Sequence, residues 1–82
     1  MGESRDRIRV LFFGIIAEKV GAKELYYEGV ADTEALRKRV AESLPGLEKL
    51  SYRISVNREM VSETLQLKEG DEVAFLPPFA GG

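Results

Sequence analysis

The chain contains no cysteine, no histidine and no tryptophan. Without cysteine there is no disulfide framework and no thiol nucleophile. Without histidine there is no imidazole base, and the common Cys/His zinc sites go with the pair. No stretch approaches the roughly 20 apolar residues needed to cross a bilayer. The opening Met1-Gly2-Glu3-Ser4-Arg5-Asp6-Arg7 is polar and mixed in charge, unlike a secretory signal. Asp6 also stands where a myristoylation signal requires Ser or Thr. An excess of either charge is missing too. Twelve Lys+Arg against 14 Asp+Glu leave a net charge of −2, which argues against a nucleic-acid binder. The one dense basic run, Arg37-Lys38-Arg39, reads as the solvated face of a helix. Carboxylates, hydroxyls, amines, the backbone and the chain ends remain for chemistry. The 82 residues, 44% apolar and 32% charged, suit one small domain over residues 1–82 of a soluble cytoplasmic protein. A chain so short buries only roughly 60% of its unfolded surface, so its core has to be efficient.

Ile8-Arg9-Val10-Leu11-Phe12-Phe13 reads as a first strand, with Ile8, Val10 and Phe12 on one face and Leu11 and Phe13 on the other. Residues 14–20 suit a short helical turn closed by Gly21, and residues 24–28 a second strand. The period then changes. Leu36, Val40, Leu44 and Leu47 form the stripe of an amphipathic helix over about residues 32–44, with Asp32 placed to cap it and Pro45-Gly46 to end it. Residues 52–56 form a third strand, Asn57-Arg58-Glu59 a turn, Met60-Val61 a short fourth strand, and residues 72–76 the last one after a tight turn at 68–71. The order β, β, α, β, β, β gives an α+β fold, a mixed sheet with one main helix packed on one face, and resembles the ubiquitin-like β-grasp. The expected core holds Val10, Phe12, Leu36, Val40, Leu44, Ile54, Val56, Val73 and Phe75.

Several groupings could carry function. Tyr26, Tyr27 and Tyr52 could stack bases, yet no basic groove accompanies them, and sheet packing explains them better. Glu69, Asp71 and Glu72 lack the ligand order of a calcium loop and read as a polar turn beside Gly70. The face opposite the helix is more informative. Leu11, Phe13, Ala74 and Leu76 fall on it and Met60 can join them, an apolar cluster that on a small domain marks a partner interface.

The strongest signal is the end, Leu76-Pro77-Pro78-Phe79-Ala80-Gly81-Gly82. Two prolines stop the strand and favour a stiff, extended segment. Beyond them the chain runs out in small residues, and the last two have no side chain. A tail starting at Pro77 reaches roughly 20 Å and can carry the terminal carboxylate into a narrow channel of another protein. A carboxylate is unreactive until another protein activates it, for instance as an acyl adenylate.

Asp71-Glu72-Val73-Ala74-Phe75-Leu76-Pro77-Pro78 with a Gly-Gly terminus resembles the small-subunit family of molybdopterin synthases, as do Val10-Leu11-Phe12-Phe13-Gly14 and Val56-Asn57. Phe79 departs from the smaller aliphatic residue common there. The resemblance implies a sulfur carrier with Gly82 as the reactive residue. A relative of the ubiquitin-activating enzymes, an adenylyltransferase, would spend ATP to adenylate the Gly82 carboxylate, and a sulfur donor protein would replace AMP to leave a thiocarboxylate. The tail, Pro77, Pro78, Phe79, Ala80 and Gly81, would enter the large subunit, while Leu11, Phe13, Met60 and Leu76 form the interface. Two transfers to cyclic pyranopterin monophosphate would build the dithiolene, in a heterotetramer of two carriers on a central dimer. The resemblance implies no stably bound cofactor, no metal, no nucleic acid and no membrane. The thiamin-pathway sulfur carrier shares fold and terminus. A ubiquitin-like modifier joined to lysines, and a non-reactive binding module, are the readings from other classes.

Overall fold

The computed structural model describes residues 7–78. Five strands form one sheet: β1 (Ile8–Phe12), β2 (Glu24–Tyr27), β3 (Arg53–Val56), β4 (Glu59–Val61) and β5 (Glu72–Leu76). Their spatial order is β2-β1-β5-β3-β4, and only the central pair β1 and β5 is parallel. The two helices are α1 (Gly14–Val20) and α2 (Thr33–Ser43), with a 3₁₀ turn at Leu47–Lys49. This is the ubiquitin-like β-grasp expected from the order of elements.

Local chemistry explains the helix limits. Asp32 has extended backbone and its Oδ1 accepts from the Ala35 N–H at 2.8 Å, capping α2 as expected. At the other end Pro45 disfavours helical geometry in the residue before it, and Leu44 is found at φ −130°. Gly46, at φ 100°, then reverses the chain. Leu47 is therefore buried, but from the 3₁₀ turn and not from the helix to which its spacing assigned it. Leu44 is only half-buried, a correction to its expected place in the core. The other eight expected core residues are buried, and Phe75 lies among them with its ring centroid 5.4 Å from Phe12 and 4.9 Å from Tyr52. Ile8, Ile16, Tyr27 and Val30 complete this core. Ile16 comes from α1, so a second short helix helps α2 to cover the same face.

The β3–β4 hairpin turns through Asn57 and Arg58, both at positive φ (51° and 73°). Two left-handed residues match the twist of the flanking strands, which is why such turns favour Asn and Gly. Asn57 also ties this turn to the start of β5. Its Nδ2 donates to Asp71 Oδ1 at 3.1 Å, and its Oδ1 accepts from the Glu72 N–H at 3.0 Å. Asp71 is buried and takes a further bond from the Lys68 N–H. The acidic turn is thus a structural clasp, as its polar-turn reading expects. Asn57→Ala removes both side-chain bonds and leaves a left-handed alanine, so we expect a loss of about 2–3 kcal/mol in chemical denaturation. An unchanged midpoint would mean that the clasp contributes nothing.

Candidate docking face and tail root

The pleat sends alternate side chains to opposite faces, and register decides what meets on the face away from α2. Leu11 of β1 stands opposite Ala74 of β5, and Ala74 opposite Ser55 of β3, which in turn faces Met60 of β4. Phe13 comes directly after β1, and Leu76 ends β5. These residues border one open depression of about 480 Å³. Leu11, Phe13, Met60 and Leu76 supply its apolar part, while Arg9, Arg58 and Glu72 supply a charged end. Phe13 and Met60 are 45% and 52% exposed, more than their packing needs alone would leave. The structure therefore brings together the four residues expected to form an interface. Ala74 differs from expectation: it shares this face but is buried, because its methyl sits in the middle of the sheet beneath larger neighbours.

A second depression, about 520 Å³, lies between the first turn of α2 and the segment after β4. Polar and apolar groups share its walls about equally, and its Arg37 is tied to Glu34 and to the Tyr52 hydroxyl, each at 3.3 Å. The tyrosines do not form a platform. Tyr27 is buried with its hydroxyl 2.9 Å from that of Ser43, while Tyr26 points to the opposite face and donates to Glu24 at 2.8 Å. That bond and the Arg9 guanidinium at 2.6 Å hold the Glu24 carboxyl below its ordinary range. Among the described residues no three of His, Cys, Asp and Glu gather to hold a metal ion, and no helix is long and apolar enough to cross a membrane.

The tail leaves this face at a fixed place. The Phe13 N–H donates to the Phe75 carbonyl at 3.2 Å, joining the end of β5 to the start of α1. Pro77 is buried against Gly14: a Cβ there would stand 2.9 Å from Pro77 Cγ, and Gly14 itself has φ 58°. Pro77, expected to begin the tail, is thus packed into the domain itself. Its five-membered ring fills the space that a glycine leaves open. Pro78 is exposed. The expected reactive residue Gly82, with Phe79, Ala80 and Gly81, lies outside the described residues.

Sequence reasoning missed the charged end of the depression. The alternation that placed Leu11 outward also places Arg9 there, and the left-handed turn brings Arg58 round to it. The first follows from alternation alone, whereas the second depends on the hand of the turn. It also missed the Gly14–Pro77 contact, which no spacing rule reveals.

A small β-grasp domain with one open apolar sheet face, and a chain end leaving beside it, has the build of a ubiquitin-like protein. The ThiS family matches residues 10–82, and the chain belongs to that family. It is 40% identical over 82 residues to the molybdopterin synthase sulfur carrier subunit of Escherichia coli (strain K12), covering 92% of this chain and 99% of that one. Subunits 1 and 2 of the molybdopterin-converting factor from Helicobacter pylori have been solved as a protein–protein complex. A chain of it superposes with a TM-score of 0.71 at 25% identity, covering 93% of this chain and 99% of that chain. The small archaeal modifier protein 1 of Methanosarcina acetivorans has the same fold, with a TM-score of 0.79 at 21% identity over 98% of this chain and all (100%) of that one. A shared fold does not choose between carrier and modifier.

Proposed function

We propose that this chain is the sulfur carrier subunit of a molybdopterin synthase. The observation that carries this reading is the family match that runs on through the Gly81-Gly82 terminus, supported by relatives bearing that name at up to 40% identity over nearly the whole chain. In this reading an adenylyltransferase joins the Gly82 carboxylate to AMP from ATP, releasing pyrophosphate. Hydrosulfide released by a donor protein attacks the acyl carbon and expels AMP, leaving a thiocarboxylate. That anion is a sulfur nucleophile needing no cysteine, and the chain has none. The carrier then docks its open face on a large subunit and passes its tail inward, and two rounds convert cyclic pyranopterin monophosphate to the dithiolene. With Pro77 seated, the five residues from Pro78 to Gly82 would reach about 17 Å if fully extended. Glycine at the end lets channel donors approach the backbone where a Cβ would collide. The acids and bases of the transfer belong to the large subunit.

Intact-mass measurement after incubation with the cognate activating enzyme, ATP and a sulfur source tests the chemistry. One oxygen should be exchanged for sulfur, on the C-terminal peptide. An unchanged mass would remove the carrier reading, and a ladder of heavier lysine conjugates would put a protein modifier in its place. The docking surface has its own test. Phe13→Glu places a charge on a half-exposed apolar residue, so circular dichroism should stay as in the wild type while sedimentation shows a complex weakened roughly a hundredfold. An undiminished complex would exclude this face.

A further inference from the structure

Arg58 occupies a position that does not suit it. At φ 73° it lies in the left-handed region, where a glycine carries no penalty and an arginine does. The turn needs this conformation but nothing in the turn needs the guanidinium. Arg58 is exposed and has no ion pair, hydrogen bond or aromatic partner among the described residues. It borders the depression that carries Leu11, Phe13, Met60 and Leu76. Glu72 lines the same depression without reaching ion-pair distance, and Arg9 is already neutralised by Glu24 at 2.6 Å. Arg53, exposed and likewise without an ion pair among the described residues, lines the other depression instead. A chain of net charge −2 thus carries one cation without an ion pair among the described residues at the end of its apolar strip.

We infer that Arg58 is a specificity determinant of docking, which pairs with a carboxylate on the rim of the protein that covers the open face. This inference rests on the docking surface proposed above and adds to it the partner's charge and orientation. Four residue steps along β5 lead from Glu72, which lines the depression with Arg58, to Leu76 at the tail root, about 13 Å. An ion pair at the far end of the strip fixes the direction along the strands in which the partner lies, and hence where its channel meets the tail. An apolar strip alone leaves that direction poorly defined. Rim charges of this kind act chiefly on association rate and its salt dependence.

The test uses the full chain and the large subunit of its synthase. Arg58→Gly should melt at or above the wild-type temperature, since it relieves the left-handed strain, and yet bind the large subunit several-fold more weakly at low salt. Arg58→Glu should weaken binding roughly tenfold to a hundredfold, mostly through a slower association. Both deficits should shrink as salt approaches 1 M, where the screening length is about 3 Å. Lys38→Glu, the same charge change on the exposed side of α2, should bind as the wild type does. Wild-type binding by both Arg58 variants at low salt would overturn the inference, as would an equal loss in Lys38→Glu, which would reduce the effect to net charge. Phe13→Glu in the same assay separates the two levels. If it weakens the complex while the Arg58 variants do not, the docking face stands and only the ion pair fails.

Discussion

Val40→Asp should leave no cooperatively folded protein at room temperature. Val40 is fully buried in α2, in the same apolar cluster as Leu36, Val73 and Phe75. None of these neighbours offers a hydrogen bond or a positive charge to an introduced carboxylate. Burying such a group unpaired costs several kcal/mol even after it takes up a proton. At about 0.05–0.15 kcal/mol per residue, a chain of this length has only some 4–12 kcal/mol to lose. Val40→Ala sets the comparison. It removes methyl contacts without stranding a charge and should cost about 2 kcal/mol, leaving a folded domain with a lower melting temperature. Circular dichroism and thermal melting separate the two outcomes. If Val40→Asp melts like the wild type, the face of α2 that meets the sheet has been misassigned, and with it the face left open for docking.

The residues that were legible in sequence are those whose pattern is local. Strand alternation separated Val10 and Phe12 from Leu11 and Phe13, and the pleat honours that division. The Asp32 cap and the Pro45-Gly46 stop act within one turn, so they too could be read directly. Leu47 shows where periodicity misleads. Its spacing continued the stripe of Leu36 and Val40, but the chain reaches the same core by another route. Ala74 lies on the expected face yet is buried, because alternation gives the face of a side chain and not how far its neighbours shade it. Asp71 and Asn57 meet across 14 positions, and Gly14 and Pro77 across a still longer separation, so their pairings needed the fold. The docking face was therefore legible in its apolar half and hidden in its charged half. Leu11 and Leu76 announce themselves by hydrophobicity, whereas the role of Arg58 depends on the hand of a turn.

Deleting Gly82 should yield a carrier that folds, docks and makes almost no product. The deletion leaves a terminal carboxylate on Gly81, so adenylation and sulfur exchange stay chemically possible. What changes is reach, which shortens by about 3.5 Å. In a positioned reaction even 1 Å of misplacement can cost about a hundredfold. Slack in the tail could absorb the loss, but its root has none to give. Pro77 is buried against Gly14, and the strand before it is held by the Phe13 N–H on the Phe75 carbonyl, so the tail's length is measured from a fixed point. The shortened chain should sediment with the large subunit as the wild type does, because Leu11, Phe13, Met60 and Leu76 are untouched, while product formation falls at least a hundredfold. One residue added after Gly82 should fail as badly, by carrying the reactive carboxyl past the site. Gly81→Ala should be intermediate or worse, since its methyl has to pass the same channel. Loading with sulfur, read by intact mass, distinguishes a tail that is never activated from one that is activated and cannot deliver. Product at the wild-type rate from the chain lacking Gly82 would end the carrier reading. The open face and its charged end would then belong to a binding module whose tail is incidental.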